Sequence, residues 1–354
     1  MTLSVAKRTP TPSRRGGEIG ILVYPNSQTA AVHGLTDLFC VANSIHRAQG
    51  GTSVGEIVVS HWKLNEVSGR VVRSYTTCSG RSQKLAAIIL PPSIGVPETR
   101  SLSRERLCRW LKARHAQGTA LCSVCAGAFL LAETGLLNDR TATTHWSHAN
   151  ELEHRFPKIK IEVGKLLIDH GDVFTAGGVM AWIDLGLRWI EKLMSPTVML
   201  ASARFFVVDP PRLDQRLYTP FSPNLLHGDI QILQLQHWIH SKYSEELTVA
   251  ALAKLAAIGE RTFLRRFYRA TGLRPSEYFQ QVRVTKAQEA LEFSIHTVEE
   301  ITSMVGYHDI SAFRQVFKKV VGLTPAEYRV RFGLAGRHGA SSPQYSPNRI
   351  ETRL

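Results

Sequence analysis

The sequence predicts two domains of different class. The first is an α/β domain, flavodoxin-like, with a mainly parallel sheet between helices; the second is an all-α C-terminal domain with two helix-turn-helix units. Three observations carry this. Short apolar or β-branched runs at 19–24, 56–61, 85–90 and 119–123 alternate with helical stretches such as 35–47 and 104–117, as they do when helices cover both faces of a parallel sheet. Near the C-terminus a repeat appears: Phe263, Phe267, Gly272, Leu273, Pro275, Glu277 and Tyr278 recur as Phe313, Phe317, Gly322, Leu323, Pro325, Glu327 and Tyr328. Between these regions, 209–229 carries Pro210, Pro211, Pro220 and Pro223, the composition of a semi-rigid spacer. The expected division is a disordered basic tail at 1–17, the α/β domain at 18–208, a linker at 209–228, the repeat domain at 229–334 and a second disordered tail at 335–354.

Composition limits the function classes. The 354 residues are 44% hydrophobic, enough for ordinary buried cores. No apolar run approaches the roughly 18 residues of a membrane helix, and the N-terminus lacks the apolar centre of a secretory signal. A cytoplasmic location with no membrane partner is expected. Cys40, Cys78, Cys108, Cys122 and Cys125 form no regular framework and read as reduced thiols. The net charge of +14 suggests an anionic partner, yet the repeat domain, with 14 basic and 11 acidic residues, carries only +3 of it. Clustering is more telling than the total. Arg261, Arg265, Arg266, Arg269 and Arg274 follow one another with no acid between, and Arg314, Lys318 and Lys319 occupy the matching stretch of the second copy.

In the first domain the segment 120–128 reads as a strand entering a Gly-containing turn, followed by a helix over 129–134. Cys125 at that turn lies near a helix N-terminus, where the dipole favours a thiolate. Two readings stay open: a small residue required by a tight turn, or a residue lining a ligand pocket. His145 is read either as a capped or satisfied core histidine or, beside Trp146, as part of an aromatic-walled pocket. Cys122 and Cys125 form a CxxC with no second pair to complete a zinc site, so no metal and no cofactor is assigned. The segment 120–128, with 132–146 and 175–187, resembles the nucleophile-elbow region of the DJ-1/PfpI branch of the class I glutamine amidotransferase-like fold, in the version fused to AraC-type regulators. Departures from that family matter. Ala126 stands where protease-like members have a His, and the loop 25–34 contains no acid to face the Cys. Only His145 remains as a base, without a carboxylate behind it. Catalysis needs a base within reach of the thiol and a group orienting that base, so no catalytic residue is assigned.

Each repeat copy holds two helical stretches, 249–256 then 260–270, and 298–305 then 311–321, the outline of a helix-turn-helix. Within 260–270, Phe263 and Phe267 are four apart and face the core, leaving Arg261, Thr262, Leu264, Arg265 and Arg266 around the rest of the helix. In the second copy Phe313 and Phe317 leave Ser311, Ala312, Arg314, Gln315 and Lys318. Pro275 and Pro325 after Gly272 and Gly322 are helix stops, and 276–293 reads as a long helix joining the units. The phrase GYHDISAFRQVFKKVVGLTPAEYR at 306–329 resembles AraC-type transcriptional regulators. That resemblance implies base-reading roles for Arg261, Leu264, Arg265, Ser311, Arg314 and Gln315, with Arg265 suited to guanine and Gln315 to adenine. Two such helices, about 34 Å apart along the duplex, would read an asymmetric half-site.

Together the two resemblances imply a ligand-responsive, sequence-specific regulator. Its implied partners are double-stranded DNA, a small-molecule effector and a second copy of the chain, with RNA polymerase as a further candidate. Activation and a small nitrogenous effector, such as an amino acid or quaternary amine, are what the family implies; Trp146 is compatible with cation–π binding of such a ligand. The expected ligand-binding set is Cys125, His145 and Trp146. The rival class is a cysteine-dependent amidase or hydrolase whose DNA-binding domain autoregulates it.

Overall fold

A computed structural model describes residues 16–52, 55–78, 84–94, 101–209, 214–218, 221, 223–225 and 227–334. The two expected tails lie, but for residues 16–17, outside them. The chain divides into two units, Met1–Gln215 and Arg216–Leu354.

The first unit is built on a seven-stranded sheet of order β3-β2-β1-β4-β5-β9-β8, with β6 (Thr141–Ala142) and β7 (Lys160–Ile161) paired apart from it. Its centre comprises β1 (Glu18–Val23), β2 (Val58–Asn65), β4 (Leu85–Leu90), β5 (Ala120–Val124) and β9 (Val173–Ala176), all joined in parallel. Of these, β1, β4, β5 and β9 are short and mostly apolar because both faces are covered, whereas β2 also carries Ser60, His61, Lys63 and Asn65. Helices α1 (Thr29–Ala48), α5 (Trp182–Leu193) and α6 (Pro196–Phe205) pack on one another, while α2 (Leu102–Ala116) and α3 (Gly127–Glu133) pack together and against β4 and β5. The expected α/β class and its four named strands are present. Two antiparallel edges were not foreseen. β3 (Arg70–Thr76) is largely exposed, so it lacks the apolar run that marks an inner strand. It is fastened instead by Arg73, whose Nη2 lies 3.0 Å from Oε1 of the buried Glu18. β8 (Leu167–Asp169) is only three residues long.

The second unit is helical: α7 (Ile230–Ser241), α8 (Val249–Leu255), α9 (Glu260–Thr271), α10 (Pro275–Phe293), α11 (Val298–Met304), α12 (Ile310–Val321) and α13 (Pro325–Phe332). The repeat produces two separate cores. Phe263, Phe267 and Tyr278 centre one; Phe313, Phe317 and Tyr328 centre the other. The joining helix α10 gives Tyr278 and Val282 to the first and Val284, Ala287 and Leu291 to the second. Arg283, between those two sets, donates from Nε to Tyr243 O (2.7 Å) and from Nη2 to Glu245 O (2.9 Å), and its guanidinium lies over the rings of Phe279 and Tyr307.

Candidate nucleic-acid interface and sensor elbow

The residues that the two copies share are the ones that build the unit. Gly272 and Gly322 end α9 and α12 in the left-handed conformation, at φ 73° and 92°, which a Cβ would penalise. Pro275 and Pro325 open the next helix, where a missing N–H costs nothing. Glu277 and Glu327 turn back to accept from the backbone N–H of Arg274 (2.9 Å) and Thr324 (2.8 Å). Tyr278 seals the first core, its hydroxyl accepting from Gln236 Nε2 at 3.2 Å and lying 2.9 Å from His240 Nε2. Tyr328 seals the second and donates to Glu292.

The exposed faces of α9 and α12 are where the copies differ. Arg261, Thr262, Leu264 and Arg265 are exposed on α9, and Ser311, Ala312, Arg314, Gln315 and Lys318 on α12. Taken pairwise at equal positions, Arg261 faces out where Ser311 does, Leu264 where Arg314 does, and Arg265 where Gln315 does. One scaffold therefore carries two different sets of donors and acceptors, as two successive DNA segments of unlike sequence require. Tyr268, 59% exposed on the same face of α9, was not foreseen; it stands where the second copy has Lys318.

Arg266 departs from the expectation. Its Nε and Nη2 grip Asp229 at 2.9 and 2.7 Å, and Nη1 donates to Gln231 Oε1 at 2.7 Å. Asp229 also caps α7 by accepting from Ile232 N, and the Arg266 guanidinium holds its carboxyl below the usual range. Three of its five N–H groups thus fasten α9 to α7. Arg314 keeps only a long, exposed pairing with Glu299 at 3.3 Å, the kind that contributes little and yields readily to another anion.

In the first unit Cys125 occupies the sharp turn between β5 and α3 at φ +53°. Its N–H donates to Ala176 O (2.8 Å), and its carbonyl accepts from Thr144 Oγ1 (2.8 Å). The elbow geometry is present, but its expected chemistry is reversed. The side chain is buried, and burial pushes the thiol up to about 11, which the Ala126 N–H offsets only in part. Desolvation of the charged form outweighs that hydrogen bond. Cys122 is buried below Trp189, whose indole N–H points at its sulfur (3.2 Å); burial raises that thiol too.

His145 caps the 3₁₀ turn Trp146–His148, its Nδ1 accepting from Ser147 N (3.2 Å) and lying 2.7 Å from Ser147 Oγ. The capped reading of this histidine describes the contact. Its ring centroid is 5.0 Å from that of Trp146 and 5.9 Å from that of His148, and burial, then His148, lowers its pKa. A cavity of about 30 Å³ adjoins the elbow, lined by Tyr24, Arg104, Ala126 and Phe129 among others, room enough for a water. Cys125, His145 and Trp146 are not among the residues lining it. Sequence reasoning missed Arg104, which pairs with Glu133 through Nε and Nη2 at 3.0 Å each. A basic residue at the start of a polar helix carries no sign of burial.

Residues 44–192 match the DJ-1/PfpI family and residues 252–331 match a helix-turn-helix domain. The chain is 22% identical over 330 residues to the HTH-type transcriptional regulator GbdR of Pseudomonas aeruginosa, covering 92% of this chain and 87% of that one. It is 26% identical over 219 residues to the HTH-type transcriptional regulator GlxA of Rhizobium meliloti, covering 61% and 67%. An AraC family transcriptional regulator from Pseudomonas putida, known from its crystal structure, aligns with 54% of this chain and 99% of its own at 16% identity and a TM-score of 0.41. The chain is a transcriptional regulator of the AraC family that carries a DJ-1/PfpI domain before its helix-turn-helix domain.

Proposed function

We propose that the protein is a cytoplasmic, dimeric activator that binds double-stranded DNA through α9 and α12 and answers to a small nitrogenous metabolite held by its DJ-1/PfpI domain near Cys125, His145 and Trp146. The observation that carries the DNA part is the division of the repeat into shared structural residues and divergent exposed ones. Arg261, Leu264 and Arg265 read one segment; Ser311, Arg314 and Gln315 read the next. Pairing of two chains through the first domain doubles the site, and contact with RNA polymerase follows from activation. The raised Cys125 thiol and the capping role of His145 favour this reading over hydrolysis.

Selection of binding sites from random DNA by the full chain tests it. Arg265→Ala is expected to cost about 1–3 kcal/mol on the selected site and to relax preference at one base pair. An equal loss on selected and random DNA would confine Arg265 to phosphate contact and sink the base-reading assignment. For the effector, calorimetric titration of the full chain with amino acids and quaternary amines should give binding that Trp146→Ala abolishes while affinity for the selected DNA stays unchanged.

A further inference from the structure

The residue that ends the first unit is itself anchored in it. Gln215 is 3% exposed; its N–H donates to Gly164 O (3.0 Å), and Asp214 forms an antiparallel backbone bridge with Lys165. Its side-chain nitrogen donates to Thr144 O at 2.9 Å, with Thr143 Oγ1 and Lys165 O each at 3.2 Å. The slot it fills requires glycine at 177, where a Cβ would stand 2.2 Å from that nitrogen. Two walls of the slot meet the elbow. Thr144 holds the Cys125 carbonyl through its hydroxyl, and the Cys125 N–H holds Ala176, the residue before Gly177. A non-glycine residue at φ +53° persists only where surrounding contacts fix it, and the bonds to Thr144 and Ala176 are among those contacts.

The three residues after Gln215 belong to the second unit. Arg216–Tyr218 form a 3₁₀ turn in which Arg216 Nη1 donates to Lys319 O of α12 (3.4 Å). Leu217 packs on the second core, and the Tyr218 hydroxyl accepts from Arg331 Nη2 of α13 (2.8 Å).

We propose that Gln215 is a positioning residue for DNA binding: its amide follows the geometry of the elbow through Thr144 and Gly177 and passes it, across one peptide bond, to the turn seated on α12 and α13. Occupation of the first domain then biases the second recognition helix rather than the first. This rests on the reading of the DJ-1/PfpI domain as the sensor.

The test is a double-mutant cycle on the full chain with DNA selected by the unaltered protein. Gln215→Leu keeps the volume and removes the donor; Thr144→Val removes the hydroxyl to Cys125 and keeps the carbonyl to Gln215. Each should change affinity by about fivefold or more, the size of an ordinary coupling between sites, with altered base preference confined to the segment read by α12. The double variant should depart from the product of the single effects, as coupled residues do. A merely structural role would lower thermal stability and leave base preference alone. Single effects that multiply, base preferences that change equally in both segments, or an affinity for Gln215→Leu within about twofold of the unaltered chain would each overturn the proposal. Should Gln215→Leu fail to fold, Gln215→Asn takes its place, keeping the donor but drawing it back by one methylene. A chain that responds to these substitutions and to no metabolite keeps the coupling and loses the sensor reading.

Discussion

Neighbouring residues of one type can have opposite fates, and Arg265 and Arg266 show what decides it. Arg265 is exposed, whereas one N–H on each guanidinium nitrogen of Arg266 is held by Asp229 or Gln231. Arg266→Ala should therefore weaken binding equally on every DNA sequence and lower the thermal midpoint, while Arg265→Ala changes which base is preferred. A base-specific effect of Arg266→Ala, read from selection on random DNA, would contradict the Asp229 anchor. Cys125 gives the second residue-scale expectation. With its thiol near 11, only a trace is thiolate at neutral pH, and the thiolate is the nucleophile. Its alkylation by iodoacetamide, followed by mass spectrometry of native protein, should be slower than that of an unfolded control and should accelerate only at strongly alkaline pH. Fast modification at neutral pH would mean an activated thiol and revive the hydrolase.

At the scale of elements, the two turns within the helix-turn-helix units differ in a way that makes opposite demands on one position. Ala257 between α8 and α9 sits at φ +52°, and Gly306 between α11 and α12 at φ +78°. A Cβ at 306 would stand 2.2 Å from Ser244 O and 2.7 Å from Arg283 Nη2, inside the very loop that Arg283 fastens. Gly306→Ala should thus cost about 2 kcal/mol or more, since backbone must move. Ala257→Gly trades relief of left-handed strain against chain entropy and should stay within about 1 kcal/mol of neutral. Urea titration of each variant, followed by helical circular dichroism, separates them, and equal costs would refute the steric account. The same elements show what the sequence could reveal. The helices of the repeat were legible because Phe263, Phe267 and their second copies keep helical spacing and Gly-x-x-Pro marks each end. β1, β4 and β5 were legible because apolar runs bounded by turns mean buried strands. β3 was hidden because an edge strand fastened by Arg73 and Glu18 needs no apolar alternation. The Asp229 anchor of Arg266 was hidden because the two lie 37 residues apart, and the slot of Gln215 because a polar residue among prolines gives no sign of burial.

At the scale of the molecule, the division into two units predicts separate unfolding, and histidines whose protonation burial opposes should make the first unit the more acid-sensitive. Trp62, Trp110, Trp146, Trp182 and Trp189 lie in the first unit and Trp238 alone in the second, so fluorescence follows mainly the first while helical dichroism sees both. Burial lowers the pKa of His61, His145 and His148 in the first unit and of His240 in the second. A lowered folded value means that the unfolded chain binds more protons over the interval between the two values. The stability this contributes is complete above the ordinary imidazole value of about 6.5 and is lost as pH falls through the folded values. Asp172, held down to about 2, first by its hydrogen bond from Arg140, and Asp229, held below its usual range by Arg266, act with the same sign but at more acid pH, outside this window. The denaturant midpoint by fluorescence should therefore fall between about pH 7 and about pH 5, and fall further than that of the residual helical signal. A fluorescence midpoint that holds or rises on acidification would contradict the histidine assignment. Coincidence of the two probes at every pH would instead mean that the two units unfold in a single transition.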